Sequence, residues 1–461
     1  SFSRSNGFFS LYPPRKPDLS SPGTATTAGL LERLFRLREN GTSVRQEFFG
    51  GLTSFMACCY LIFVIPSMLA DAGMDRTAVT GAVVLTTIVV TLIMGLWANY
   101  PVVVAPGLGI TAFFAYYVCG PAGFSWQAGL GAVLVSGMVF FLLTVTRIRQ
   151  WIVDSVPKDL KYAIVVGIGT FIAFIGFKNC GIVVSNESTS VALGDLTDPK
   201  VLLALFGFFL TAVLNVMGIR AAMIIGILAT TALGVVTGHA SLPEGSWLSA
   251  GFPDISKTFF QLDLPGALSH GLFTIIFTLT MVDLFDNMGV LIGVARKAGL
   301  MKDDGSIRNL DRAFISDSIG TMLSSVFGTT TATSYLESAA GAVAGARTGL
   351  SNVFAAGFFA LALFFIPLIA IVPVYATAPI LILVGAFMMQ ECVHIRFDRL
   401  DVAIPAFLTI VGMPLTYNIA TGFGFGFVSY TVIALLTGRA REVHPLMYVV
   451  SVAFAINFAL R

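Results

Sequence analysis

Charged residues are scarce in this chain. Of its 461 residues only 11% are Asp, Glu, Lys or Arg, while 56% are hydrophobic, whereas a soluble domain carries about a quarter charged residues. The mean hydropathy is +0.87. This composition excludes a soluble globular protein and indicates an integral membrane protein in contact with lipid. Apolar runs recur from residue 48 almost to the end, so we expect a single membrane unit.

The features of several other protein classes are also missing. A formal net charge of +2 gives no reason to expect nucleic-acid binding. The five cysteines lie in or beside apolar segments without metal-ligand spacing, so we expect neither a disulfide framework nor a metal site. Asp283 and Asp286 could suggest the Mg²⁺ site of a membrane prenyltransferase, but no second acidic cluster accompanies them. We therefore expect no enzyme and no cofactor.

The N-terminal region is polar before it becomes amphipathic. Residues 1–30 are rich in Ser, Pro, Thr and Gly, which predicts a disordered or expression-derived tail. The lead-in, residues 31–47, begins within LLERLFRLREN at 30–40, in which leucines and Phe35 alternate with arginines. This pattern is typical of a helix lying on the cytoplasmic membrane surface. A short solvated helix before the first span explains it equally well.

Fourteen apolar segments follow, each of about the length that crosses a bilayer or lies buried within a helix bundle. The first seven cover residues 48–70, 79–98, 102–119, 126–146, 159–177, 201–217 and 220–238. After an external polar loop at 239–265, the second seven cover 267–295, 311–328, 331–345, 350–372, 376–392, 401–416 and 420–437. The C-terminal region 438–461 adds an apolar stretch that either crosses the membrane or lies at its interface.

Basic residues support this topology. They concentrate in alternate loops, such as 147–161, 296–312 and 396–399, as cytoplasmic loops do. The N-terminus is therefore expected in the cytoplasm. Because each half contains an odd number of segments, the halves 48–238 and 266–437 are expected to form an inverted repeat, as in many secondary transporters.

Two segments have unusual patterns. NYPVVVAPGLGITAFFAYYV, residues 99–118, and FGTTTATSYLESAAGAVAGARTG, residues 327–349, each indicate a short extended piece leading into a half-helix. They are the third segment of each half, so an inverted repeat would bring them together near mid-membrane. Interrupted segments at matching positions point to a transport site, because half-helix N-termini present free N–H groups. The alternative is that glycine and proline merely permit close packing.

Acidic residues occur in the same region. Glu337 follows the second extended piece, while Asp283 and Asp286 are three residues apart and so share one helical face. Ionisable groups at mid-membrane cost several kcal/mol and commonly mark a functional path. The alternative is a buried hydrogen-bonded pair, and for Asp283 a structural role is as plausible as a functional one.

Four stretches carry a resemblance to a known family. They are PVVVAPGLGITAFFAYY, VDLFDNMGVLIGVARKAGL, SDSIGTMLSSVFGTTTATSYLESAAGAVAGARTGL and IPAFLTIVGMPLTYNIATGFGFGFVSY. Together they closely resemble the AzgA-like purine permeases, a branch of the nucleobase transporter superfamily. The resemblance runs from about residue 31 to beyond 440.

The resemblance implies an all-α fold of fourteen spans in a 7+7 inverted repeat. A core domain, residues 48–146 and 267–372, would move like an elevator against a gate domain, residues 159–238 and 376–437. It further implies proton-coupled import of adenine, guanine or hypoxanthine across the bacterial inner membrane. A homodimer through the gate domains would fit this picture.

The family's site residues map onto this chain one by one. Its purine-binding acids fall on Asp286 and Glu337, and its third-segment Asn falls on Thr111, which is a departure. Thr offers one hydroxyl where Asn offers an amide donor and acceptor. Two further departures are Ile65, in a position usually held by Asn, and Thr421, in a position usually held by an acid.

The remaining site residues follow from what a flat, polar-edged purine requires. Phe113 or Phe285 would cover its face, and Ser338 would join the acids in binding its edge. Because burial favours the protonated form of a carboxyl group, we expect Glu337, Asp286 and Asp283 to carry the coupling proton.

Other functions remain open on the sequence alone. An anion carrier or channel of the related sulfate-transporter fold would share the architecture, although a basic or neutral group would be expected in place of Glu337. A nucleobase transporter of pyrimidine or xanthine specificity is a second alternative. The sequence does not choose between proton and sodium coupling.

Overall fold

Helices account for nearly all of the regular structure. The computed structural model describes residues 27–242, 247–248, 253–268, 272–301 and 306–459, so most of the predicted tail lies outside the described residues. The first half contains α1 Thr27–Phe35, α2 Val44–Cys58, α3 Leu61–Asp71, α4 Arg76–Ile93, α5 Leu108–Phe113, α6 Trp126–Val145, α7 Ile148–Ser155, α8 Lys158–Asn179, α9 Pro199–Val216 and α10 Ala222–Val236.

The second half contains a similar series. Its helices are α11 Leu264–Ala267, α12 Leu272–Lys297, α13 Leu310–Phe327, α14 Ser338–Val343, α15 Leu350–Ala362, α16 Ile366–Ala370, α17 Val374–Met388, α18 Leu400–Leu415, α19 Ile419–Leu436 and α20 Pro445–Ala459. The strands of the whole chain are β1 Val104–Pro106, β2 Val183–Asn186, β3 Ser190–Leu193 and β4 Ala332–Ser334. Short 3₁₀ or π turns lie at Met94–Ala98, Phe114–Val118, Leu363–Phe365, Met389–His394 and Ala440–Glu442.

The helices identify the chain as an integral membrane protein. Within the described ranges, nine helical stretches are long and apolar enough to cross a bilayer. They are Val44–Asp71, Arg76–Ala98, Trp126–Val145, Lys158–Asn179, Pro199–Val216, Thr274–Lys297, Leu350–Ala370, Val374–His394 and Ile419–Leu436. Shorter or less apolar helices occupy the other five predicted positions, and the total of fourteen spans stays a prediction.

A pair of short strands joins the two halves. β1 and β4 are antiparallel, with Val104 opposite Ser334 and Pro106 opposite Ala332. Both are completely buried, and they lie in the two stretches whose patterns indicated extended pieces. β1 leads directly into α5, and β4 is followed closely by α14. The pairing therefore brings the starts of these two half-helices together.

Side chains satisfy backbone groups at the edges of this strand pair. The Val104 N–H donates to Thr91 Oγ1 at 3.1 Å, and the Val103 N–H donates to Ser338 Oγ at 2.9 Å. On the other strand, the Ser334 N–H donates to Asn287 Oδ1 at 2.7 Å. Such partners are required because an unpaired backbone group inside a membrane costs several kcal/mol.

Proline and glycine explain why the first interrupted segment is not one continuous helix. Pro101 and Pro106 have no N–H to donate and disfavour helix in the residues before them. Gly107 permits a close approach of the strands, because a Cβ atom there would lie 2.7 Å from Thr333 Oγ1. These residues allow the chain to change from strand to helix at mid-segment.

The helix contacts fall into two main groups. In one, α2 packs on α14 and α15, and α13 packs on α4 and α6; in the other, α8 packs on α17 and α18, and α9 packs on α10. The groups meet where α5 contacts α8 and α17 contacts α3. Core and gate domains with the predicted boundaries stay a prediction.

Two local features differ from the sequence analysis. The lead-in is not helical throughout: α1 ends at Phe35, whose side chain is buried with Leu37 against Leu350. In addition, β2 and β3 form an exposed hairpin between α8 and α9 that was not predicted. Its turn is organised by Asn186 Oδ1, which accepts from the Ser188 and Thr189 N–H groups.

The described part of the loop predicted to be external, residues 239–265, is attached to the ends of two helices. Lys257 Nζ lies 2.7 Å from Asp75 Oδ2, and the Phe260 N–H donates to the Val326 carbonyl at 2.8 Å. Hydrogen bonds from Lys257 and from the Ala78 N–H hold the pKa of Asp75 below its usual value. The loop therefore packs against α4 and α13.

Gly349 provides a test of the helix packing. A Cβ atom at this position would lie 1.9 Å from the carbonyl oxygen of Gly95, so Gly349→Ala must push two backbones apart. We expect a loss of about 1–3 kcal/mol. Thermal unfolding of the detergent-purified protein would measure it.

Gly357→Ala is the matched control, since Gly357 lies within α15 and Gly349 is the N-cap of that helix. Apart from the neighbouring backbone of α15 itself, no atom of the described residues lies within 4 Å of a Cβ atom there, and alanine is the better helix former. We expect unchanged or slightly higher stability. Equal destabilisation by both substitutions would contradict the packing described at Gly349.

Candidate functional site

Glu337 lies at the junction of the strand pair and a half-helix. It is the residue immediately before α14 and is half-buried. Its Oε1 atom accepts a hydrogen bond of 2.6 Å from the Tyr60 hydroxyl. Tyr60 is fully buried and occupies the interruption between α2 and α3. Tyr60 was not among the predicted site residues, although a tyrosine inside an apolar span is a signal for a buried hydrogen bond.

Asp286 is the second predicted purine-binding acid. It lies on α12, which packs against both β4 and α14. Asp286 is half-buried, whereas Asp283, Phe285 and Asn287 on either side are buried. The Asp286 and Glu337 carboxylates lie close enough to interact electrostatically. The structure therefore brings the two predicted acids together in positions that are not completely enclosed.

Asp283 has a different environment. It is fully buried, and its Oδ1 atom accepts a 2.5 Å hydrogen bond from Asn287 Nδ2. The Thr321 hydroxyl lies 3.3 Å from Asp283 Oδ2 and 3.1 Å from the Ala332 carbonyl oxygen, so it can donate to either. These contacts link Asp283 to the groups that hold β4. Its predicted role in proton coupling stays a prediction.

Asp317 is an acid that the sequence analysis did not single out. It lies on α13, is fully buried, and accepts a 3.3 Å hydrogen bond from Ser334 Oγ through Oδ1. Its Oδ2 atom has no hydrogen-bond partner among the described residues. Asp317 is close enough to Asp283 for the two charges to interact. Its position inside the predicted membrane segment 311–328 was the available signal.

Thr111 and Ser338 are tied to neighbouring protein groups. Thr111 Oγ1 lies 2.6 Å from Thr330 Oγ1, and both residues are fully buried. Ser338 Oγ accepts the Val103 N–H, as described above. Each hydroxyl thus contributes to the packing around the strand pair. Its predicted contact with substrate stays a prediction.

The two predicted aromatic residues are both buried. Phe113 on α5 stacks on Tyr117 with ring centroids 5.2 Å apart and an angle of 13° between the planes. Phe285 is next to Asp286, and its ring centroid lies 6.4 Å from that of Phe423 on α19. Phe285 is therefore located where α12, which packs on α6 of the first group, meets α19, which packs on α18 of the second.

These residues define the chemistry that the site can perform. Two carboxylates can accept hydrogen bonds from N–H groups or hold a proton, and a nearby aromatic ring can cover a flat face. No group of three or more His, Cys, Asp and Glu side chains suited to a metal occurs among the described residues. The arrangement fits binding of a small, flat, N–H-rich molecule.

Comparison with known proteins identifies the family. A profile of the Permease family matches residues 45–425. The adenine permease AdeQ of Escherichia coli is 40% identical over 433 residues, which cover 94% of this chain and 97% of the relative. The chain belongs to the purine permease family. The guanine/hypoxanthine permease PbuG of Bacillus subtilis is likewise 40% identical over 439 residues, covering 93% of the permease described here and 99% of the relative.

Solved structures place the permease in a wider fold. The transmembrane domain of the cyanobacterial bicarbonate transporter BicA superposes with a TM-score of 0.63 at 16% sequence identity. The match covers 82% of the permease and 97% of that domain. At this identity the likeness concerns the fold and not the substrate.

The contact between Thr111 and Thr330 can be tested through stability. Thr111→Val leaves the Thr330 hydroxyl without its partner, so we expect a loss of about 1–3 kcal/mol. Adding Thr330→Val removes both polar groups and is expected to cost less than the sum of the two single substitutions. Thermal unfolding would measure all three variants. An unchanged stability of Thr111→Val together with weaker substrate uptake would instead assign the hydroxyl to the substrate.

Proposed function

We propose that the permease imports purine nucleobases, namely adenine, guanine or hypoxanthine, by proton symport. The observation that carries this proposal is the pair of half-buried carboxylates, Asp286 and Glu337, beside the paired half-helices. Membership of the purine permease family supports the substrate class, and relatives named for adenine and for guanine/hypoxanthine support these three bases.

The chemistry of a purine suits these side chains. Its rim carries N–H donors and ring-nitrogen acceptors, and its faces are aromatic. Asp286 and Glu337 would accept hydrogen bonds from the rim, and Phe285 would lie against one face. A hydrogen bond to a charged acceptor is worth about 1.5–3 kcal/mol, so each acid can contribute at least tenfold to affinity.

Proton coupling would use the same acids. A carboxylate away from bulk water binds a proton more readily than an exposed one. Protonation from outside and release inside would link proton movement to purine movement. Asp283 and Asp317 are further acids through which a proton could pass, since both are buried and lie in the same packing group of helices.

Alternating access would come from relative movement of the two packing groups. Phe285 faces Phe423 across their boundary, so a purine bound beside Asp286 would lie near the surface along which they slide. This location fits an elevator-like movement, in which a core domain slides against a gate domain. A homodimer formed through the gate helices would hold the gate still while the core moves.

The fold likeness to BicA favours one other candidate, an anion carrier. In that case the site would present positive or neutral groups to the ligand. Two neighbouring carboxylates would instead repel an anion. Purine transport is therefore the better account of the site.

Uptake into proteoliposomes tests the proposal. Radiolabelled adenine, guanine, hypoxanthine and uracil are supplied with and without an inward proton gradient. We expect gradient-driven accumulation of one or more purines and none of uracil. Accumulation of bicarbonate or sulfate but of no purine would support the anion carrier instead.

Substitution of the acids tests the site. Asp286→Asn and Glu337→Gln are each expected to lower uptake efficiency by about ten- to a hundredfold, since each replaces a charged acceptor. Glu187→Gln, on the exposed hairpin, is the control and should transport as the unsubstituted protein does. Full concentrative uptake by either acid variant would exclude that acid from the site.

A further inference from the structure

We propose that Tyr60 is a positioning residue that fixes the Glu337 carboxylate for substrate binding, and thereby contributes to the choice among purine derivatives. This inference rests on the proposed function, since it assumes that Glu337 binds purine. It concerns a residue on the first membrane span, far from the other site residues in sequence.

The geometry of the contact carries the proposal. The Tyr60 hydroxyl donates to Glu337 Oε1 at 2.6 Å, which is short for an O–H···O hydrogen bond. Tyr60 has 0% exposure, so its ring cannot change orientation without repacking. A fixed donor thus holds one oxygen of a carboxylate that is itself only half-buried.

The local backbone explains how a first-span residue reaches this position. α2 ends at Cys58, and α3 begins at Leu61, so Tyr60 occupies the break between two helices. Its carbonyl still accepts from the Phe63 and Val64 N–H groups at 3.1 and 3.2 Å, which anchors it to the start of α3. The residue is therefore held by the backbone on one side and by packing around its ring.

The neighbouring phenol has another partner. Tyr335 is close to the same acid in sequence, but its hydroxyl donates to the Pro106 carbonyl at 2.5 Å. Tyr335 therefore supports the strand pair. Tyr60 is the phenol that acts on Glu337.

The two carboxylate oxygens of Glu337 then have separate roles. Oε1 accepts the hydrogen bond from the Tyr60 hydroxyl, and we assign to Oε2 the N–H group on the five-membered ring of the purine. Without the phenol, the carboxylate would be free to rotate, and binding would have to fix it at the cost of side-chain entropy. Tyr60 therefore prepares Glu337 for one directed hydrogen bond.

The test compares Tyr60→Phe with Tyr100→Phe. Tyr100 is equally buried and donates one 2.8 Å hydrogen bond, to the Leu291 carbonyl, so Tyr100→Phe controls for loss of a buried hydroxyl. Binding to the purified proteins is measured for whichever of adenine, guanine and hypoxanthine the unsubstituted protein binds most tightly. The 9-methyl derivative of that base, which lacks an N–H on the five-membered ring, is measured beside it.

We expect Tyr60→Phe to weaken binding of the parent base about two- to tenfold, as for the entropy of immobilising one side chain on binding. The ratio of parent to 9-methyl affinity should fall, because Glu337 would no longer be directed at one N–H. Tyr100→Phe should leave that ratio unchanged. In a double-mutant cycle with Glu337→Gln, the loss of affinity caused by Tyr60→Phe should largely disappear, because the carboxylate that it positions is already gone.

Any one of three results would overturn the inference. They are unchanged affinity of Tyr60→Phe for the parent base, an unchanged ratio of parent to 9-methyl affinity, and additive losses of affinity for Tyr60→Phe and Glu337→Gln. If Tyr60→Phe is not recovered as a monodisperse protein, 4-fluorophenylalanine at position 60 replaces it, since fluorine fills the space of the hydroxyl but cannot donate a hydrogen bond; an unchanged ratio would again count against the role. Failure of the proposed function would give a different result from failure of this inference, because the unsubstituted protein would then bind none of the three purines.

Discussion

The pairing of β1 with β4 is the interaction on which the rest of the structure depends. Inside a membrane, strand edges cannot obtain hydrogen bonds from water, so every backbone group must find a partner in the protein. Here Thr91, Asn287 and Ser338 supply such partners from three helices. Because these helices come from both halves of the chain, one small two-stranded unit fixes how the halves meet.

The same constraint divides the polar side chains of the site into two sets. Thr111, Ser338 and Asn287 have partners in the scaffold around the strands. Asp286 and Glu337 are only half-buried and lie near each other beside that scaffold. A polar residue in this region is therefore not by itself evidence of substrate contact. Accessibility separates the two sets better than polarity does.

The fold likeness to a bicarbonate transporter bears on how specificity would arise. A chain of the purine permease family shares its fold with BicA at only 16% identity, and one fold can serve different ligands. Under the proposed function, the difference would lie in the side chains presented beside the half-helices. In this chain those side chains are carboxylates, one of them held by a buried tyrosine. The fold supplies the location, and a few side chains supply the chemistry.

The sequence by itself determined the membrane class and the family, and it predicted the acids Asp283, Asp286 and Glu337 as site residues. Composition sufficed for the first, because hydrophobic content is a sum over residues and needs no contacts. Proline and glycine in residues 99–118, and threonines in residues 327–349, predicted the two extended pieces, since residues of these types act on the local backbone. The exposed β2–β3 hairpin was missed, although its turn signal at Asn186 is also local.

Only the tertiary structure decided which residues meet. Tyr60 and Glu337 are separated by 277 positions, and the packing of α13 brings Asp317 close enough to Asp283 for their charges to interact. Likewise, the Thr111 hydroxyl is taken up by Thr330, 219 positions away. No periodicity in a single chain encodes such pairs, because they depend on how whole helices pack. The sequence therefore determined which chemical groups are present, and the packing decided which of them face one another.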